Sequence, residues 1–242
     1  MNEFIKNESK GWRIPEGALL TRWAKEVDPS EPLPEYPRPQ MVREKWLNLN
    51  GTWDYAIRPG RETECPEYAG GILVPFCVES ALSGVRRPLT PDDRLWYRRT
   101  FRLPGDWRGE RVLLHFGAVD WETEVRLNGV FVGEHRGGYC PFSFDVTDRL
   151  AEGENVIVII VRDATETDLR ERGKQSLRPK GLFYTAVSGI WQTVWLEPVP
   201  KRYIAGVRLT PDPGKEELLV RVTGAGEGQG DGWTIEATAW EQ

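Results

Sequence analysis

Residues 121–148 read WETEVRLNGVFVGEHRGGYCPFSFDVTD. Val125 and Leu127 alternate with Glu124 and Arg126, the period of a strand with one buried face. Asn128-Gly129 follows at once. Both residues tolerate positive φ, so the pair specifies a two-residue type I′ hairpin. Val130 and Val132 open the returning strand. Gly133, Gly137 and Gly138 interrupt it, and Phe142 and Phe144 resume the alternation before a capped turn at Asp145, Thr147 and Asp148. A hairpin with a glycine-rich continuation therefore sits mid-chain. Its loop, His135-Arg136-Gly137-Gly138-Tyr139, is read either as plain connection or as a face for a ligand or another domain.

Working outward, the same period recurs. Leu47 and Leu49, then Trp53, Tyr55 and Ile57, flank Asn50-Gly51, a second hairpin signal. Ile72–Val78 is apolar but holds Pro75, so it reads as an edge strand or a strand end. Tyr97, Phe101 and Leu103 share a face, as do Val112, Leu114 and Phe116, where His115 points outward. Residues 155–161 (NVIVIIV) are apolar on both faces, as a central strand is. Residues 163–183 form the longest polar stretch. Ile190, Val194 and Leu196 mark a further strand. Strong helical periodicity is absent, and Gly, Pro and Asn punctuate short strands throughout. The fold class is all-β: residues 41–199 form a jelly-roll (galactose-binding-like) sandwich whose core includes Trp53, Tyr97, Leu114, Leu127, Phe144, Val158 and Val194.

Both ends differ from this middle. Residues 1–40 carry Pro29, Pro32, Pro34, Pro37 and Pro39, which fix φ and remove donors, so an extended surface strap is expected. Residues 200–242 spell strands at 203–210, 217–223 and 233–240, the last two joined by the polar loop GAGEGQGDG. An immunoglobulin-like sandwich needs about 100 residues, so only its first strands are expected here. Their apolar positions, among them Val207, Leu209, Leu218, Val220, Ile235 and Ala237, lack an opposing sheet. Three strands with a bare apolar face are marginal in water, and pairing with a second copy through 200–242 is the expected remedy.

Composition closes off several classes. The 242 residues carry a net charge of −5 with no basic run, which argues against nucleic acid. Nothing approaches a membrane span of about 18 apolar residues. The start, MNEFIKNESKGW, lacks the apolar core of a signal peptide, so a cytoplasmic location or a removed signal is expected. Cys65, Cys77 and Cys140 are too few and scattered for a disulfide framework or a CxxC zinc site. His115 and His135 lack partner ligands, so neither a metal nor a cofactor is implied. Eleven tryptophans serve a core first, and stack on sugar rings second.

PRPQMVREKWLNLNGTWDYAI (37–57), VPFCVESALSGV (74–85), LWYRRTFRLP (95–104), the central hairpin, and SGIWQTVWLEPV (188–199) together resemble the amino-terminal region of glycoside hydrolase family 2. The likeness covers about residues 37–200 with order and spacing kept. It implies a sugar-binding jelly roll, then an immunoglobulin-like domain, then a (β/α)8 catalytic barrel on which the first domain packs. Two positions depart from the family. Its Asn-Glu acid/base motif occurs only at Asn2-Glu3 and Asn7-Glu8, in a polar leader. Six residues before Gly189-Ile190, where familiar members carry a sugar-binding Asp, stands Phe183, which cannot accept that hydrogen bond. The catalytic residues are therefore placed outside these residues, and galactosidase or glucuronidase specificity is not carried over directly.

The expected carbohydrate-facing or barrel-facing residues are Glu79, His135, Arg136, Lys174 and Tyr184. Glu79 follows an apolar run and is read as a sugar ligand or as a loop cap. Arg172–Gln175 projects toward the barrel or into solvent. Tyr184 and Trp191 are read as core first and stacking platforms second. The expected function is an accessory sugar-binding domain of a glycoside hydrolase, partnered by carbohydrate and by the barrel of its parent. A free-standing lectin-like module is the alternative.

Overall fold

The structure is a computed structural model and describes residues 5–6, 11–226, 234–238 and 240. The strands in chain order are β1 (Ile5–Lys6), β2 (Leu47–Asn48), β3 (Gly51–Pro59), β4 (Gly70–Val74), β5 (Asp93–Arg102) and β6 (Arg111–Phe116). Then come β7 (Val119–Asp120), β8 (Glu122–Leu127), β9 (Val130–Arg136), β10 (Phe142–Asp145), β11 (Glu154–Arg162), β12 (Gln175–Ser176) and β13 (Tyr184–Thr185). The last are β14 (Gly189–Ile190), β15 (Val194–Val199), β16 (Arg202–Asp212) and β17 (Glu217–Gly226). Short 3-10 turns at Arg22–Lys25, Gly105–Trp107 and Thr147–Arg149 are the helical pieces among the described residues, so the all-β reading holds.

The chain divides into two compact units, residues 1–198 and 199–242. The first is a sandwich. One sheet runs β4-β3-β5-β11-β8-β9, with β1 added on β5, and the other runs β10-β6-β15-β2. Period-2 alternation turns Trp53, Tyr97, Phe101, Val125, Leu127, Ile157 and Ile159 inward from the first sheet, against Leu114, Phe116, Val194 and Leu196 of the second. Each such side chain, fully buried, contributes about 1.5–3 kcal/mol of transfer free energy.

The Asn128-Gly129 turn is as expected, with both residues at positive φ (53° and 78°). Asn128 is also anchored through its side chain, donating to the Arg149 carbonyl at 2.8 Å and accepting from Val156 N at 2.9 Å. Asn50-Gly51 does not make a hairpin. β2 pairs with β15 and β3 with β4 and β5, so this dipeptide carries the chain from one sheet to the other. The buried Asn50 amide staples the crossing: it donates to the Pro32 carbonyl and to Thr193 Oγ1, both at 3.2 Å, and accepts from Val194 N at 3.1 Å.

Two core expectations are corrected. Val158 faces outward, packed on the small cluster of Ala56, Trp96 and Ile160, because Ile157, Ile159 and Val161 take the inward positions of β11. Phe144 is half-buried at the core margin. His115 does leave the core side of β6, yet it is buried, because the proline-rich segment covers that face: Tyr36 and Arg38 bond Glu197 beside it. In the second unit, β16 and β17 form an antiparallel hairpin that places Val207, Leu209 and Pro211 opposite Val222, Val220 and Leu218 on one face. The expected third strand at 233–240 is absent where the chain is described; the other residues of that stretch, and most of the expected loop before it, lie outside the described residues.

Candidate functional site

The starts of β5 and β8 and the ends of β9 and β11 meet at one end of the sandwich. From there residues 163–193 run as a long connection pinned by polar side chains. Asp163, 3% exposed at the end of β11, accepts Thr165 N at 2.7 Å and Ser188 Oγ at 2.9 Å. Ser188 N donates to Glu79 Oε2 at 2.9 Å, and the other Glu79 oxygen takes Leu89 N at 3.5 Å. Gln175 Nε2 donates to Asp120 Oδ2 and to the Tyr139 hydroxyl, both at 3.2 Å, while its carbonyl accepts Val187 N at 2.6 Å. A Cβ on Gly138 would stand 2.7 Å from the Asp120 carboxyl carbon, so only glycine lets the turn after β9 close over that carboxyl.

Burial sets the charge state of this anchor. It pushes Glu79 up to about 7, against the donors that favour its ionised form. Burial, and then the neighbouring Asp163, push Asp120 up to about 7. These carboxyls are spent on holding the connection and are turned away from solvent.

The exposed side carries the aromatic and cationic groups. The Tyr184 hydroxyl, on a residue 51% exposed, accepts Lys174 N at 3.3 Å, and β12 pairs with β13 in parallel at Gln175 and Tyr184. Tyr184 is thus a surface residue, contrary to the core expectation, because its short strand lies on the loop and not in the sandwich. Trp191 is half-buried, donating Nε1 to the Gly138 carbonyl at 2.8 Å, with Tyr139 edge-on at 6.2 Å. His135 and Arg136 belong to β9 rather than to the loop after it. His135 stacks on Phe142 at 4.0 Å, and burial pushes its imidazole below the usual value. Arg136 pairs with Glu122 at 2.8 Å. Phe183 is 45% exposed on the loop surface.

The structure therefore brings Lys174 and Tyr184 together, makes Glu79 part of the loop anchor through Ser188, and leaves His135 and Arg136 on the sheet edge. Sequence reasoning missed Asp120, Asp163 and Ser188 as anchor residues, and read Gln175 only within a run facing the barrel or solvent. Each is an ordinary polar residue in its local context, although Asp163, directly after an apolar strand, and Gly138, interrupting another, were the available signals.

The family model for glycosyl hydrolases family 2, sugar binding domain, matches residues 74–200. A β-galactosidase of Thermoanaerobacter pseudethanolicus is 34% identical over 139 residues, covering 54% of this chain and 18% of that protein. A β-glucuronidase of Paenibacillus borealis is 30% identical over 135 residues, covering 53% of this chain and 22% of that protein. The chain thus spans about a fifth of these two curated relatives. Among solved structures, a β-glucuronidase from an uncultured Clostridium superposes with a TM-score of 0.57 at 26% identity, over 76% of this chain and 35% of that one. The lectin alternative gains no support from these relatives.

Proposed function

Because the chain belongs to glycoside hydrolase family 2, through its sugar-binding domain at residues 74–200, we propose that it serves as the accessory domain of a parent enzyme hydrolysing O-glycosyl bonds in β-galactoside-like or β-glucuronide-like substrates. In this reading residues 41–199 are the sugar-binding jelly roll, 1–40 its strap, and 200–242 the first strands of an immunoglobulin-like domain. The loop end, with Lys174, Tyr184, His135 and Arg136, faces carbohydrate and the parent's catalytic barrel, and Glu79 serves by fixing Ser188 beneath it. The observation that carries the reading is that the family match contains every residue of the loop anchor from Glu79 to Trp191. A cytoplasmic location is part of the proposal, supported by three free thiols.

Residues 1–242 alone are expected to hydrolyse no glycoside. Retaining hydrolysis takes two carboxyl groups about 5–5.5 Å apart beside the sugar, and Glu79, Asp120 and Asp163 are committed to the anchor. Assays with nitrophenyl β-galactoside, β-glucuronide and β-mannoside check this; turnover that survives purification overturns it. Saccharide binding in the millimolar range, about 4 kcal/mol, is expected by NMR titration, and Tyr184→Ala should weaken it.

We further propose that two copies associate through 200–242. The β16–β17 hairpin keeps Leu209, Leu218 and Val220 at least 40% exposed on one face, and an exposed apolar face of this kind favours pairing with a second copy. Sedimentation of the 242-residue chain beside residues 1–200 checks it. Two monomers at equal concentration end the idea.

A further inference from the structure

On the outer face of the larger sheet, Arg162, Glu122 and Arg136 stand in register across β11, β8 and β9. Glu122 takes Arg136 at 2.8 Å, whereas Arg162 lies 3.6 Å from it, beyond hydrogen-bond reach. One carboxylate thus stands between two guanidinium groups, hydrogen-bonded to Arg136 and ion-paired more loosely with Arg162. Arg162 is half-exposed, and its Nη1 faces the second Glu122 oxygen.

The neighbouring loop adds a third arginine. Arg170 lies 4.1 Å over the Trp121 ring, its side chain 12% exposed. Nη2 donates to Asp168 at 2.7 Å, and its buried Nε has no hydrogen-bond partner. Between these groups lies a cleft of about 330 Å³, floored by Trp121. A second cleft of about 350 Å³, carrying Arg61 and Asp92, meets the first at Pro91 and Arg162. The two together line a groove with four arginines against three carboxylates, on a protein whose net charge is −5.

Fold stability does not account for this placement. Exposed ion pairs contribute about 0–1 kcal/mol, and a lysine would serve a simple pair as well. What arginine adds is a rigid fork that holds an oxyanion through two parallel hydrogen bonds. Stacking on tryptophan holds such a guanidinium in place, and an indole also offers a flat apolar surface to a sugar ring.

We propose that this groove is a subsite for an anionic saccharide, an oxyanion carried on a sugar ring, with Arg162 as its bidentate partner. The proposal rests on the carbohydrate-binding reading above. The 242-residue chain is titrated by calorimetry with a galacturonate oligosaccharide, a sulfated galactan oligosaccharide, a neutral galactan oligosaccharide and inorganic sulfate. At least one anionic oligosaccharide should bind about 10-fold or more tightly than the neutral one, with an advantage that falls at high salt. Arg162→Gln should remove the advantage while leaving the melting temperature and neutral binding unchanged, and Arg162→Lys should restore only part of it. Whichever anionic oligosaccharide binds identifies the group as carboxylate or sulfate. Equal affinity for anionic and neutral chains, or an advantage that survives Arg162→Gln, overturns the inference and leaves the accessory-domain reading intact. Inorganic sulfate binding as tightly as the saccharides also overturns it, as a bare anion site. Binding of no saccharide at all removes both.

Discussion

Replacing Gly189 by alanine is expected to destabilise the sandwich by about 2–5 kcal/mol. Two costs add. Gly189 has φ +86°, a region that costs an L-residue about 1–2 kcal/mol. Its added Cβ would also stand 2.1 Å from the Tyr97 hydroxyl and 3.0 Å from Leu95 Cδ2. Tyr97 cannot yield: it is fully buried, edge-on to Trp53 at 6.3 Å, and its hydroxyl accepts Ile190 N at 3.2 Å. Overpacking of this kind typically costs about 1–3 kcal/mol. For a domain of this size the melting temperature should fall by about 10 °C. The cause is separable. Tyr97→Phe removes the obstructing oxygen for the loss of one hydrogen bond, about 1 kcal/mol, so Gly189→Ala should cost less in that background. Strictly additive losses in the double-mutant cycle would show that the clash is not the reason glycine stands there. The effect should also reach the site, since Ser188, the preceding residue, ties Glu79 to Asp163.

The Gly-Ile step was visible in the sequence, but its reason was not, because Tyr97 lies far away in the chain. The same division runs through the molecule. Where one face of a strand is polar, as in β8, alternation fixed both the strand and its inward residues. Where the run is apolar on both faces, as at 156–161 of β11, period does not choose a face, and the expectation for Val158 fails; pairing with β8, Ile159 opposite Val125, makes the choice. Asn128-Gly129 and Asn50-Gly51 look alike locally. The first turns a hairpin, and the second crosses between sheets because Thr193 and Pro32 capture the Asn50 amide. The loop anchor was the least legible part. Glu79, Asp120, Asp163, Gln175 and Ser188 meet only after the sandwich forms, and no local pattern announces that meeting. The exposed groups were easier, since a polar stretch with Lys174 and Tyr184 reads as a surface loop whatever lies beneath.

The face of the second sheet offers the other large effect. Glu197, wholly buried, accepts from Tyr36 and from Arg38 in the strap, from Arg43 Nε at 2.9 Å and from Trp195 Nε1 at 2.8 Å. His115, stacked on Trp195 at 4.9 Å, lies 3.3 Å from it. Burial alone would raise this carboxyl, but the donors and cations outweigh it and hold Glu197 well below the usual carboxylate range. Glu197→Ala removes at once the buried carboxylate that Arg38, Arg43, Tyr36 and Trp195 share. Breaking a buried pair by removing one partner costs about 3–5 kcal/mol, so a fall of about 10 °C is again expected. The strap should loosen first, seen as faster tryptic cleavage after Arg43. Glu197→Gln keeps the shape and should cost less. The pH dependence has a definite sign. A carboxyl depressed in the folded state stabilises fully above its unfolded pKa, about 4.3, and that contribution is lost as pH falls toward the folded value. The gap in stability between wild type and Glu197→Gln should therefore be widest near neutrality and narrow steadily below about pH 4. A gap constant from pH 7 to pH 3 would mean that Glu197 fills space on this face without its charge holding the strap.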